Sequence, residues 1–417
     1  MRGRVGRGLI ALVSGAAFGQ LILVVATPFL ARIYGPSAFG AFSALVAATS
    51  VLGPVAALKF DVGVMLPEDE DQARRLVRLA LASSAASSAG AALVIWLLSS
   101  TALGQGWSLV PFAPLWGAAL VFATSVFTVL TQAALRRRSY GVVASRALFQ
   151  SGGTAGAQLG LGLLGVSQIG LTAGFLIGRL VGFVPLLRVS RPLLSAPTTG
   201  GYRATVREYI RLPTALTGAA LINSIGTNLP LLLVAAAFGE VATGEFGMAQ
   251  RLITVPATLL GASVAQVVGA ELAQLLRERR TGAQRIYRQA TVRLGITAVV
   301  VGVAIVALAP LLPFFLGDGW SRTVPIAQAM ALAAAAALIG SPLSQVYTIY
   351  QSRATALIDA IRVALLLLAW AGVAVLQFSL IEATWAISIA QTLGYVLLWW
   401  YGLRLVAAQE RTLNTGD

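Results

Sequence analysis

The stretch Tyr34-Gly35-Pro36-Ser37-Ala38-Phe39-Gly40-Ala41-Phe42 opens on an aromatic–glycine pair, places a second glycine five residues later and closes on Phe42. The same aromatic-Gly-x4-Gly-x-Phe pattern returns at Phe238-Gly239-Glu240-Val241-Ala242-Thr243-Gly244-Glu245-Phe246. A short glycine pattern can recur by chance in a chain with 43 glycines, so its position carries the weight. Each copy lies between the first and second long apolar runs of its half of the chain. Those runs are each about 20 residues long, enough for a helix to cross a hydrocarbon core of about 30 Å. The repeat therefore predicts two equivalent sets of membrane helices.

Composition agrees. Hydrophobic residues make up 57% of the chain and charged residues 11%, with a mean hydropathy of +0.82. A soluble domain carries about 25% charge. In lipid the backbone must satisfy its own hydrogen bonds, which leaves helices or closed barrels. The runs are apolar on nearly all sides and lack the alternation of a barrel strand, so the expected fold is all-α and polytopic. Cysteine and histidine are absent, which excludes disulfides, Cys or His metal sites and a histidine proton relay.

Working outward from the two repeats, spans are expected at about 8–31, 38–58, 76–99, 110–133, 141–165, 168–188, 212–237, 247–270, 290–316, 324–349, 360–380 and 382–404. Arg2, Arg4 and Arg7 precede a first run too long for the apolar core of a cleavable signal, so it reads as a span. The net charge of +15 is distributed unevenly. Of 30 basic residues, 26 fall on one set of connections and only Arg32, Arg251 and Arg322 on the other, with Arg179 inside a span. By the positive-inside rule both termini face the cytoplasm, and the excess of arginine needs no nucleic acid to explain it. Residues 189–211, with Pro192, Pro197 and the turn cluster Thr198–Gly201, read as a cytoplasmic linker. The expected organisation is a six-helix bundle over 1–188, the linker, a second six-helix bundle over 212–405 and a cytoplasmic tail at 406–417. With six spans per half the two have the same orientation, related by a pseudo-twofold along the membrane normal.

The residues that could carry function are the polar ones lipid should reject. Arg179 lies midway along the sixth span among apolar neighbours and calls for a hydrated cavity or a carboxylate partner. Arg32 ends the first span, and Arg251 lies early in the eighth. Gln20 in the first span, and Asn223, Ser224, Thr227 and Asn228 before Pro230 in the seventh, mark a polar, proline-bent helix in each half. These make Arg179, Arg32, Arg251, Asn223, Asn228 and Gln20 the cavity candidates. Lys59 and Asp61 close the second span as Lys-Phe-Asp. Arg146 and Arg362 sit just inside the fifth and eleventh spans, and Asp359 lies one turn before Arg362 at ion-pair spacing. Lys59, Asp61, Arg146, Asp359 and Arg362 are thus gating or ion-pair candidates. Gly152, Gly156 and Gly160 in the fifth span, and Gly170, Gly174, Gly178 and Gly182 in the sixth, each form a smooth stripe suited to close packing or sliding. No carboxylate is expected deep in a span, since Asp61, Asp359 and Glu382 all lie near ends. No Walker motif, metal-ligand cluster or cofactor-binding pattern is present, so no cofactor is expected.

Four segments carry a resemblance. They are Phe29-Leu30-Ala31-Arg32-Ile33-Tyr34-Gly35-Pro36 with Phe39-Gly40-Ala41-Phe42; Leu58-Lys59-Phe60-Asp61 leading to Met65-Leu66-Pro67-Glu68-Asp69; Gln132 through Ala144-Ser145-Arg146; and Phe238-Gly239 with Gly244-Glu245-Phe246-Gly247-Met248-Ala249-Gln250-Arg251-Leu252. In this order they resemble the polysaccharide-export, Wzx-like flippases of the multidrug/oligosaccharidyl-lipid/polysaccharide exporter superfamily. The resemblance implies two six-helix bundles around a cavity open alternately to each side, in the bacterial inner membrane. It implies a polyprenyl-diphosphate-linked glycan as substrate, cationic residues lining the cavity, and surrounding lipids, a polysaccharide polymerase and export machinery as partners. It implies a transporter and not an enzyme. The lipid II flippase branch, with its additional spans, fits less well.

Three other classes compete, one of them a passive structural or scaffold protein, which would not need Arg179 buried. A multidrug exporter of the same superfamily should show a deep acid for a cationic cargo. A membrane glycosyltransferase or polymerase needs catalytic groups on a sizeable outer loop, and the connections on that side are short.

Overall fold

The computed structural model describes the backbone of residues 2–167, 169–278, 280–350 and 354–415, and the side chains of that range except at 2–13, 255–260, 262–263, 266, 348 and 412–415. The side chains of Arg2, Arg4 and Arg7, and all of Arg279 and Arg353, lie outside the described residues. The helices are α1 Arg2–Leu52, α2 Phe60–Gly63, α3 Glu70–Leu98, α4 Ala113–Arg136, α5 Tyr140–Leu163, α6 Gly170–Ser195, α7 Tyr202–Glu208, α8 Thr217–Arg277, α9 Ala283–Leu308, α10 Leu312–Leu316, α11 Thr323–Leu343, α12 Gln345–Ile349, α13 Ala354–Leu376 and α14 Leu380–Thr415. No strand occurs among the described residues.

Two of these helices each contain two spans. The apolar parts of α1 and α8, Ser14–Val55 and Leu212–Thr254, are 42 and 43 residues long. Drawn straight, either would reach about 60 Å, twice the hydrocarbon thickness. Both break at the first glycine of the repeated pattern, Gly35 with φ 69° and ψ 173° and Gly239 with φ 76° and ψ −173°. Positive φ is open to glycine at no steric cost, which is why that position is glycine in both copies. Neighbours show that α1 reverses there. A Cβ on Gly15 would meet Ala144, and one on Gly19 would meet Ala147, near the start of α5. Tyr34 lies against Gly162 and Gly170, at the other end of the α5–α6 hairpin. After the break the chain runs back, with Ala44 beside Gly106, Thr49 beside Gly117 and Gly53 beside Thr124. Nine helical segments among the described residues are long and apolar enough to cross a membrane. Counting two spans in α1 and two in α8, and adding the glycine-rich α5, gives the twelve expected from sequence.

The chain divides into two compact units, Met1–Gly244 and Glu245–Asp417. Within the first, the two repeats meet. A Cβ on Gly40 would collide with the carbonyl oxygen of Glu240, and a Cβ on Gly244 with the carbonyl oxygen of Pro36. The contact is reciprocal, as a twofold relation between equivalent segments requires. The Glu240 side chain fastens it, accepting from Ser108 Oγ at 2.7 Å, the Leu109 amide at 3.1 Å and Ser37 Oγ at 3.4 Å.

The glycine stripe of α6 packs as its spacing suggested. Gly170 receives Tyr34, Gly174 receives Gln158, Gly178 receives Thr154, and Gly182 faces Gln150 and Phe127. The stripe of α5 does not share in this. Gly152, Gly156 and Gly160 have nothing within 4 Å of a would-be Cβ, and the neighbouring Gly153 is the one that meets α6, at Val181. Four-residue spacing identified a common face on α5 but not which side the partner helix lies on.

The segment after α6 is ordered against the start of α3. Arg75 donates to Asp71, to the Thr199 carbonyl and, at 2.9 Å, to Thr205 Oγ1. Arg78 donates to the Ala196 carbonyl at 2.6 Å and to Thr198 Oγ1 at 3.1 Å. Asp71 accepts from the Thr199 amide at 3.1 Å, and Gln72 donates to Glu208 at 2.6 Å. Asp69 caps α3, its carboxylate accepting from the amides of Asp71 and Gln72 at 3.1 and 3.0 Å.

In the second unit, α11 packs against both α9 and α14. The core below them gathers Tyr287, Leu294, Leu343, Val346, Tyr347 and Leu398. Its hydroxyls are satisfied by α14, Tyr287 donating to the Trp399 carbonyl at 2.9 Å and Tyr347 to that of Leu398. Glu410 of α14 caps α9 by accepting from the amides of Gly282 at 2.7 Å and Gln284 at 3.0 Å.

Candidate functional site: an arginine pair on phenylalanine faces

The first unit brings Arg146 and Arg179 together. Arg146 lies in the second turn of α5. Arg179 is nine residues into α6, about 14 Å along its axis. Phe127 of α4 stands beside both. The Arg146 guanidinium carbon is 4.2 Å from its ring centroid and that of Arg179 is 5.9 Å away. Arg179 also lies 4.7 Å from the ring centroid of Phe175, one turn earlier on α6. Phe175 is steadied edge-on by Phe42 at 5.7 Å, and Phe127 packs on Phe183 at 6.0 Å. Phe42 closes the first copy of the repeat, so the motif that bends α1 also supports the site.

No carboxylate lies within ion-pair distance of either arginine among the described residues. The Nε atoms of both are buried without a hydrogen-bond partner, and the charge of Arg146 acts on Arg179. A cation over an aromatic face gains about 0.5–2 kcal/mol. Removing an ion from water costs several kcal/mol even after relaxation. The phenylalanines hold the two cations in place without neutralising them. What this cluster lacks electrostatically is an anion, and guanidinium forks match phosphate oxygens in pairs.

The other candidates fall elsewhere. Asp359 and Arg362 form the expected ion pair at 3.1 Å, with Arg362 also 4.6 Å from the Tyr395 ring centroid. Arg146, its counterpart by position, has phenylalanine in place of a carboxylate. Lys59 and Asp61 share the turn after α1 but do not approach within ion-pair distance. Asp61 is 4% exposed, and its Oδ1 has no partner. Burial pushes its carboxyl above the ordinary aspartate value, against the opposing pull of Lys59. Arg32 is exposed at the end of the first span, Gln20 half-buried within it, and Arg251 half-buried in α8. Asn228 is half-buried and donates to the Ser224 carbonyl of its own helix at 2.9 Å, and Asn223 is exposed. Asn228 thus serves its own helix.

One expectation is corrected. A carboxylate does lie inside a span. Glu245 of α8 is 3% exposed, its Oε2 has no hydrogen-bond partner, and Arg322 is the cation acting on it. The second repeat is not wholly a connection between spans: the helix resumes after Gly239, and Glu245 lies on it six residues further on. The pattern itself held the signal, since Glu245 occupies the place of Ala41 in the first copy.

A profile of the family described as "Polysaccharide biosynthesis protein" matches residues 29–325. Among curated proteins none matches the chain. Among solved structures, the lipid II flippase MurJ in an inward closed conformation aligns over 97% of this chain and 92% of its own at 16% identity, with a TM-score of 0.72. An inward-facing multidrug resistance MATE transporter of the MOP superfamily aligns over 98% of each chain at 16% identity and TM-score 0.62. A MOP superfamily transporter from Pyrococcus furiosus, described as having a binding pocket of reversed polarity, aligns over 96% of each at 15% identity and TM-score 0.60. At these identities the structures establish the fold alone, which is all-helical among the described residues. The chain is a multi-pass membrane protein with the MOP transporter fold, and it belongs to the polysaccharide biosynthesis protein family.

Proposed function

We propose that the protein is a flippase that carries polyprenyl-diphosphate-linked oligosaccharide from the cytoplasmic to the outer leaflet for surface polysaccharide synthesis. Both termini lie in the cytoplasm, and access alternates as the bundles 1–188 and 212–405 rock as rigid bodies. The observation that carries this reading is the Arg146–Arg179 pair, two cations within the span region and no acid beside them. An isolated diphosphate cannot enter hydrocarbon, because stripping its water costs tens of kcal/mol in the Born limit. Arginines already desolvated and held by aromatic faces replace that water with directed hydrogen bonds. The lipid tail remains in the bilayer throughout.

In a strain lacking the gene, lipid-linked glycan should accumulate on the cytoplasmic side and surface polysaccharide should disappear, with drug sensitivity unchanged. Arg179→Gln should reduce export about tenfold to a hundredfold, the worth of a charge-assisted hydrogen bond of about 1.5–3 kcal/mol, while the protein still reaches the membrane. Normal export by both Arg179→Gln and Arg146→Gln would remove the basis of this reading.

A multidrug exporter is the second reading, and Glu245 is the observation that favours it, since a buried acid suits a cationic cargo. It predicts the reverse phenotype, drug sensitivity in the deletion strain and intact polysaccharide.

A further inference from the structure

The arginines around the segment between α6 and α8 divide into two classes. Arg75 and Arg78 of α3 are spent on holding that segment, as described above. Arg136 is spent on the preceding turn, donating to the carbonyls of Val64 at 3.0 Å and Pro67 at 2.7 Å. Arg137 donates to the Val189 carbonyl at 3.2 Å. Arg188, Arg191, Arg203, Arg207 and Arg211 are exposed, and among the described residues none of their guanidinium groups makes a hydrogen bond or ion pair. The acid nearest them in sequence, Glu208, is engaged by Gln72.

The fold presents these charges in a definite direction. In α7, Thr205 is 2% exposed and accepts from Arg75 on α3. At 100° per residue, Arg203 and Arg207 sit one turn apart on the face opposite Thr205. The bonds to Thr198, Thr199 and Glu208 anchor both flanks of this short helix, so the orientation is fixed by the protein. Tyr202 and Ile210, 40% and 46% exposed, flank the charges with an amphipathic ring and an apolar side chain. Arg188 and Arg191 extend the patch along the last turns of α6, where it leaves the span region. Four to eight basic residues directly beyond a membrane helix, with an aromatic at the interface, suit anionic lipid headgroups.

We infer that the segment 188–211 is a binding surface for anionic phospholipid in the leaflet at the arginine-rich end of the helices. The inference is independent of what the protein transports.

The test is native mass spectrometry and thermal unfolding of the full chain in nanodiscs of phosphatidylcholine with and without phosphatidylglycerol. Wild type should retain phosphatidylglycerol and unfold at a higher temperature when it is present. Both effects should fade at high salt, because exposed charges are screened over about 8 Å at physiological ionic strength. R203Q/R207Q should weaken phosphatidylglycerol retention about thirtyfold, from about 1 kcal/mol per arginine. R203K/R207K should keep it, and R285Q/R288Q, at an exposed site on α9, should change it little. Unaltered retention in R203Q/R207Q, or an equal loss in R285Q/R288Q, would overturn the inference, the latter by showing that net charge alone is read. Both glutamine pairs are at exposed positions, and their unfolding in detergent should match wild type.

Discussion

Arg146 and Arg179 show what a charge inside a membrane bundle requires of its neighbours. Phe127 faces both, so Phe127→Leu keeps most of the bulk and removes the π face. It should lower export severalfold, for a loss of about 0.5–2 kcal/mol, with little change in melting temperature. Arg146→Lys should be nearly as harmful as Arg146→Gln, because an ammonium neither stacks flat on a ring nor grips two oxygens at once. Asp69 gives a prediction of another kind, read through pH. The Asp71 and Gln72 amides hold its carboxyl below the usual aspartate range, chiefly through Asp71. A group with a depressed folded value stabilises fully above its unfolded value of about 3.9 and loses that effect as pH falls through the folded one. The first turn of α3 should therefore keep its amides protected from exchange at neutral pH and lose protection only below about pH 4. Asp69→Ala should show the fast exchange at every pH.

At the scale of the element, glycines of identical spacing make different predictions. Gly178 lies against the backbone of Thr154, so Gly178→Ala must push α5 and α6 apart. Overpacking of that kind costs about 1–3 kcal/mol, visible as a lower melting temperature. Gly156→Ala meets open space and should be neutral or stabilising by up to about 1 kcal/mol, from helix propensity alone. Sequence revealed that both helices have glycine faces, because spacing is a property of one helix. It could not reveal which face meets a partner, because that depends on the rotation of one helix about its axis relative to another. The same limit hid the meeting of Arg146 with Arg179, 33 positions apart, whereas Asp359 and Arg362, three positions apart on one helix, were legible as a pair.

For the whole molecule, the number of spans was readable because it follows from a rule with no partner in it, hydrophobic length; the placement of arginine gives sidedness as an expectation, with both termini in the cytoplasm. The repeat was readable too, and its two glycines proved to be the bends. Glu245 was not, since a boundary error of a few residues turns a buried acid into a loop acid. Sidedness can be measured directly. The natural chain has no cysteine, so single substitutions need no altered background. Gly201→Cys should react with an impermeant maleimide only when the cytoplasmic face is open, and Ser100→Cys should react in intact cells.

The approach of Gly40 to the Glu240 carbonyl and of Gly244 to the Pro36 carbonyl closes one seam at two places, each set by its own codon. The two edges can therefore differ, and one copy holds Pro36 where the other holds Glu240. Loss of either glycine alone is enough to part the seam.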